Sequence, residues 1–235
     1  MSDKGRSPLE KLIYRAPEGL LLAGITGLGY FSAYMSDVGY KTYFGIPSMF
    51  VEINLNSVVL SICVMIFTLF ISYLCISLPG FRRYGPHLFS VLIPTVIALI
   101  IGMKLSYSLS RENFGLILFL FLLHAAFLFL FFHLAQKQRR MTNVAAVTIL
   151  SVLMISVSYF SGSTIAKNQE YYLVSNSKDP LVVIDTYKDA LLVAPLDPGS
   201  RTLKPDYRFI HLESDLNEKL HFSMKKVGPL ILPDP

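Results

Sequence analysis

Residues 113–140 read NFGLILFLFLLHAAFLFLFFHLAQKQRR, and this stretch decides the fold. Residues 113–135 contain no Asp, Glu, Lys or Arg, and a basic tail follows them. A helix needs about 20 apolar residues to cross about 30 Å of hydrocarbon. The stretch therefore predicts a transmembrane helix, and it makes lipid rather than water the solvent for much of the chain.

The composition extends this prediction to most of the chain. Of the 235 residues, 53% are hydrophobic and only 16% are charged, whereas soluble domains average about 25% charged residues. After a basic leader at residues 1–18, apolar runs recur as far as residue 162. We expect an integral membrane α-helical bundle of about five transmembrane helices, followed by a small C-terminal all-β domain. The predicted spans are 19–36, 57–78, 87–104, 113–135 and 142–162.

Residues 163–235 change character and predict the β-domain. Short runs rich in β-branched and aromatic residues alternate with turn signals such as Asp197-Pro198-Gly199-Ser200. Five short strands in a segment of this size suggest a small meander or SH3-like roll, which is marginally stable alone. We expect it to lean on the membrane, on the connector at residues 37–56, or on another copy. The predicted strands are 170–175, 181–187, 190–196, 207–212 and 219–224.

The connector at residues 37–56 is aromatic and punctuated by Gly and Pro rather than hydrophilic. Aromatic rings are enriched at the membrane–water interface. The connector is therefore expected to be an interfacial anchor, and the alternative is a lid or partner surface. Its aromatic residues include Tyr40, Tyr43, Phe44 and Phe50.

Hydroxyl side chains form stripes on two of the predicted spans, when the residues are plotted at 100° each. On the second span the stripe lies opposite Cys63, Phe67 and Phe70. Such a stripe suits hydrogen bonding between helices, and the alternative is the lining of a narrow water path. The candidate intramembrane residues are Ser57, Ser61, Thr68 and Ser72 with Cys75 on the second span, and Thr148, Ser151 and Ser158 on the fifth.

His124 lies near the middle of its predicted span. An ionisable residue at this depth is a functional candidate. We expect His124 to make a structural hydrogen bond to a hydroxyl of the second or fifth span. Gating or proton sensing, and a metal or catalytic role, are the alternatives.

Small residues recur at every fourth position of the first predicted span. Gly19, Ala23 and Gly27 have the spacing that lets helix backbones approach. They predict a helix-packing face within the chain, and the alternative is a face for self-association.

The distribution of basic residues predicts the orientation. With five spans, the leader and the loops at 79–87 and 136–142 share one side and hold nine Lys and Arg, against three in the loops at 37–56 and 104–113. Positive charge marks the cytoplasmic side. We therefore expect a cytoplasmic N-terminus in a plasma membrane, typically a bacterial inner membrane, and a periplasmic or extracellular β-domain. The topology determinants are Arg82, Arg83, Lys137, Arg139 and Arg140.

The motifs that carry chemistry are missing from the sequence. No HExxH, CxxC, Walker loop, GxSxG or GxGxxG occurs, and no basic patch on a soluble domain favours nucleic acid. We expect a protein that is not an enzyme, with no catalytic or metal site and no cofactor.

The expected role is that of a partner-binding, sensing or accessory subunit, acting through its β-domain. The expected partners are the lipid bilayer and another membrane protein or further copies of the chain. Accessory subunits, toxin-immunity proteins and membrane components of defence systems share this build, which is an analogy only. The alternative is an oligomeric channel lined by the hydroxyl stripes, with His124 as its gate.

A cysteine at Ser200, in a variant without Cys63 and Cys75, is expected to react with a membrane-impermeant maleimide in intact spheroplasts, because the β-domain is predicted to lie outside. A cysteine at Gln138, in a predicted cytoplasmic loop, is the control and should react only after lysis. Labelling of Ser200→Cys only after lysis would overturn the orientation.

Overall fold

The computed structural model describes residues 18–105, 114–137, 139–197, 199–211 and 221–232. Helices come first and an antiparallel sheet follows them, so the predicted fold class is confirmed. Of the predicted leader, only Glu18 falls within the described residues. The helices are α1 (Glu18–Tyr43), α2 (Leu55–Ser77), α3 (Pro79–Lys104), α4 (Phe114–Gln136) and α5 (Arg140–Asn168), with a 3₁₀ turn at Ser48–Phe50.

Four helices in the described part of the chain, α2 to α5, are long and apolar enough to cross a membrane. About five were expected, and α1 is not among the four. Glycine, serine and tyrosine dilute the apolar residues of α1, and its last turns carry Asp37 and Lys41. That α1 spans the membrane therefore stays a prediction.

The third helix begins earlier than expected. Residues 79–86 were interpreted as a proline-bracketed loop, but α3 starts at Pro79 and continues through Pro86. Proline is favourable in the first turn of a helix. Pro86 has no N–H to donate to the carbonyl of Arg82, and the side-chain amide of Gln136 donates to that carbonyl instead, at 2.8 Å. A long-range hydrogen bond thus satisfies the group that the proline leaves free.

The contacts divide the chain into two compact units. The first comprises Met1–Met35, Ile53–Ile100 and Glu112–Tyr159. Its core lies among α2, α3, α4 and α5, whose buried side chains include Met65, Phe89, Leu128, Phe132 and Leu153.

The second unit comprises Ser36–Glu52, Ile101–Arg111 and Phe160–Pro235. It includes the end of α5, which runs to Asn168 and so extends beyond the predicted end of the span at 162. The strand order is β4-β3-β2-β1-β6, and β5 also pairs with β3. The strands are β1 (Tyr171–Ser175), β2 (Leu181–Tyr187), β3 (Ala190–Asp197), β4 (Thr202–Leu203), β5 (Arg208–His211) and β6 (Phe222–Lys226).

The sheet curves back on itself. A parallel bridge joins Thr202 of β4 to Ile231, and the N–H of Leu203 donates to the Ile231 carbonyl at 2.8 Å. The chain after β6 therefore returns to β4, at the other end of the strand order. This arrangement encloses an interior that alternate strand residues fill, among them Tyr172, Val182, Leu192 and Leu203.

The connector supplies part of this interior. Phe44 is 1% exposed and Ile46 is 5% exposed, and both pack in the same cluster as the inward-facing strand residues. The interfacial placement predicted for the connector is therefore wrong for these side chains. Of the three supports expected for the β-domain, the structure shows the connector.

The Phe44→Ala variant is expected to destabilise the second unit by about 3–5 kcal/mol, because it leaves a cavity in a closed core. Urea-dependent proteolysis of the full chain in detergent measures this loss. Met49→Ala is the matched control from the same segment, since Met49 is 73% exposed, and it should change stability by less than about 0.5 kcal/mol. Equal effects of the two variants would show that Phe44 does not hold the core together.

Candidate functional site

A buried ion cluster lies at the end of α1. The Lys41 side chain is 1% exposed, and its Nζ lies 2.5 Å from Asp37 Oδ2 and 2.7 Å from Asp185 Oδ2. Asp37 precedes Lys41 by one helical turn, so the two side chains share a face of α1. Asp185 comes from β2. The cluster therefore joins the end of a helix to a strand of the sheet.

A β-bulge shapes the strand at this point. The β2–β3 register shifts between Val183 and Asp185, which leaves Ile184 without a partner residue on β3. The freed Ile184 carbonyl accepts a hydrogen bond from the Tyr40 hydroxyl at 2.9 Å. Burial raises the pKa of Tyr40 well above its ordinary value, so the phenol keeps the proton that it donates.

The charges of the cluster are not balanced. Burial lowers the pKa of Lys41, but the hydrogen bonds and charges of Asp185 and Asp37 together outweigh it and raise that pKa above its ordinary value. Lys41 therefore stays an ammonium. Burial raises the pKa of Asp37, against the lowering effect of Lys41. The carboxyl groups of Asp37 and Asp185 share the one cation, and Asp37 takes up a proton at a higher pH than an exposed aspartate does.

Glu52 extends the cluster to the β2–β3 turn. Asp37 Oδ2 accepts the N–H of Glu52 at 3.0 Å, and Glu52 Oε2 accepts the N–H of Lys188 at 2.7 Å. Lys188 has a φ of 51°, the left-handed conformation that a two-residue hairpin turn requires. The carboxylates of Asp37 and Glu52 therefore fix the connector and the turn, respectively.

This cluster differs in composition from nucleophilic and metal sites. It contains no Ser, Cys or His nucleophile beside a base, and no group of three or more metal-ligating side chains occurs among the described residues. Its ion pairs and hydrogen bonds hold residues 36–52 in the second unit.

Three exposed apolar side chains share the outer face of β1 and β6 with the cation Lys226. Tyr171 is 47% exposed, Leu173 38% and Met224 63%. Leu173 is the register partner of Met224, and Tyr171 is the partner of Lys226. We call Tyr171, Leu173 and Met224 the β1–β6 patch. Exposed apolar groups that lie together mark interaction surfaces.

His124 faces the interior of the first unit. Its side chain is 8% exposed, and Nε2 lies 3.0 Å from Ser156 Oγ. Ser156 is on the fifth predicted span, but it was not among the predicted stripe residues. A gating role for His124 stays a prediction.

The residues of the two hydroxyl stripes differ in exposure. On α2, Thr68 and Ser72 are buried, whereas Cys63, Phe67 and Phe70 on the opposite face are exposed. On α5, Thr148 is exposed and its hydroxyl donates to the carbonyl of Val144 in its own helix. Thr148 therefore does not belong to a buried channel within the chain, and the lining of a channel by several copies stays a prediction. The remaining candidates, Ser57, Ser61, Ser151 and Ser158, are half-buried.

The predicted packing face of α1 is wrong as a contact within the chain. Gly19, Ala23 and Gly27 are exposed, and a methyl group added at either glycine would meet nothing within 4 Å. Gly29 makes the close contact instead, since its added methyl would lie 2.5 Å from Ile62 Cγ1 of α2. Gly29 lies about 160° around α1 from Gly27, at 100° per residue.

The predicted topology determinants are at helix ends. Arg82, Arg83, Lys137 and Arg139 are exposed, and Arg140 begins α5. Their exposure fits a polar boundary, and the side of the membrane stays a prediction.

Sequence reasoning did not single out the ion cluster. The usable signal was an Asp37–Lys41 pair at the i, i+4 spacing, directly after a long apolar stretch. Asp185 interrupts the apolar pattern of VVIDTY, which indicates a buried partner or a bend. No local pattern connects Asp185 to Lys41 across more than a hundred residues.

A comparison with protein families finds a match. A family model described as type IV pilus biogenesis protein TfpB matches residues 13–78. The match covers less than a third of the chain, and it includes Asp37, Lys41 and Phe44. No curated protein and no solved structure matches the chain.

Lys41→Met is expected to destabilise the second unit by about 2–4 kcal/mol. The substitution leaves Asp37 and Asp185 without their cation. Because both aspartates are partly exposed, the loss of stability is smaller than for a fully buried ion pair that loses one partner. Lys188→Met is the control because its side chain is exposed. Urea-dependent proteolysis of both variants measures the difference, and a Lys41→Met protein as stable as wild type would contradict this role.

Gly29→Leu is expected to lower the stability of the helical unit by about 1–3 kcal/mol, since Ile62 leaves no space for a side chain. Gly27→Leu should leave monomer stability unchanged. Thermal unfolding in detergent tests both variants. If Gly27→Leu alone lowers the cross-linked dimer fraction, the exposed face serves self-association, and a larger loss of stability in Gly27→Leu would contradict the assignment of Gly29.

Proposed function

We propose that this protein is a non-enzymatic accessory subunit of type IV pilus biogenesis in a bacterial inner membrane. The observation that carries the proposal is the family-model match over residues 13–78. The matched stretch is not only apolar helix, because it includes the connector that completes the second unit through Lys41 and Phe44. The apolar helices α2 to α5 support a membrane location.

The proposed working surface is the β1–β6 patch, and the proposed partner is another membrane or pilus-assembly protein. Interface cores are rich in aromatic residues and Met and poor in charge, which suits Tyr171, Leu173 and Met224. The ion cluster at Lys41 supports this role, since it fixes the connector against the sheet. The distribution of basic loops supports a periplasmic position for the β-domain.

In a piliated bacterium whose genome encodes this chain, deletion of its gene is expected to reduce the number of surface pili, counted by electron microscopy. Wild type should restore them, and a Leu173→Asp/Met224→Asp double variant should not, because it places charge in the interface. Met49→Asp is the control, since Met49 is more exposed than either residue and lies outside the patch. Immunoblots of membranes must show equal amounts of all three proteins.

Normal piliation in the deletion strain would overturn the pilus role. Loss of pili that the double variant fully restores would leave that role in place and overturn the patch.

A further inference from the structure

A shallow, open groove runs along the exposed face of α3 in the first unit. Its volume is about 530 Å³, and its lining is almost wholly apolar. The lining positions recur at three- and four-residue intervals, so they form one face of the helix. Since α3 is one of the four candidate spans, this groove faces the lipid. The lining residues are Tyr84, His87, Leu88, Val91, Leu92 and Thr95.

A cation, Arg83, lies at one end of this groove. The Arg83 guanidinium carbon lies 5.4 Å from the centroid of the Tyr84 ring, which lines the groove. Arg82 is exposed as well, but its position lies about 150° around α3 from the centre of the lining face, at 100° per residue. The segments 79–87 and 136–142 contain no Asp or Glu. The positive charge at this end is therefore not neutralised by either segment.

We propose that the α3 groove binds an anionic phospholipid, with an acyl chain along Leu88 and Leu92 and the phosphate at Arg83. Guanidinium groups bind phosphate oxygens with paired, charge-assisted hydrogen bonds. Basic sites beside membrane helices on the cytoplasmic side suit anionic headgroups. An inorganic phosphate would leave the apolar length of the groove uncovered, so the occupant is a lipid.

This lipid site is separate from the proposed pilus role. It uses residues of the first unit, none of which belongs to the β1–β6 patch. Loss of lipid binding with normal piliation, or the reverse, therefore distinguishes the two proposals.

Native mass spectrometry of the full chain in detergent tests the site, with dioleoylphosphatidylglycerol and dioleoylphosphatidylcholine as probes. Wild type is expected to retain phosphatidylglycerol about tenfold better than phosphatidylcholine, the scale of one charge-assisted hydrogen bond. Arg83→Gln should lose most of this preference. Leu88→Trp should lower retention of phosphatidylglycerol with every cation intact, because it fills the groove.

Lys137→Gln is the matched control, since it removes one cation from the same end of the helices without touching the groove lining. It should keep at least half of the preference. Equal losses in Lys137→Gln and Arg83→Gln, with Leu88→Trp unaffected, would reveal diffuse surface charge and overturn the site. Equal retention of the two lipids by wild type would overturn it too.

The last experiment adds inorganic phosphate at millimolar concentration as a competitor of the bound lipid. The phosphate should not displace the lipid, and complete displacement would show a site for a free anion instead. Circular dichroism and size-exclusion chromatography confirm folding of each variant. Because Leu88 is 56% exposed, Leu88→Trp keeps the test valid if Arg83→Gln fails to fold.

Discussion

The second unit depends on the insertion of residues 36–52 into a sheet formed from the other end of the chain. Phe44 and Ile46 fill the interior that the curved sheet encloses, and Lys41 binds a carboxylate of β2. A sheet of this size buries little apolar surface by itself. The apolar side chains of the connector supply part of the missing core, and the buried cation fixes their position.

The ion cluster specifies this arrangement more than it stabilises it. A buried cation with its acids is no more stable than a well-packed apolar group of similar size, but removing one partner is costly. The bulge at Ile184 contributes to the same specificity, because its free carbonyl accepts the Tyr40 hydroxyl. The observed register of connector and sheet satisfies these groups together.

The same rule governs the helical unit, where water does not satisfy polar groups. Gln136 bonds the carbonyl that Pro86 leaves free, and Thr148 bonds a carbonyl of its own helix. Gly29, rather than the regularly spaced glycines, allows α1 and α2 to approach. Packing therefore decides which polar and small residues of these helices make contacts. The spacing of these residues along the sequence does not predict the contacts.

The sequence by itself determined the solvent, the classes of secondary structure and most element boundaries. Charge-free runs such as 113–135 are long enough to cross the hydrocarbon as helices, and strands such as Leu181–Tyr187 lie between clear turn signals. Only the tertiary structure decided that Phe44 is in a core, that Lys41 meets Asp185, and that Pro86 lies within a helix. Each of these depends on a partner distant in sequence, and local periodicity carries no information about such partners.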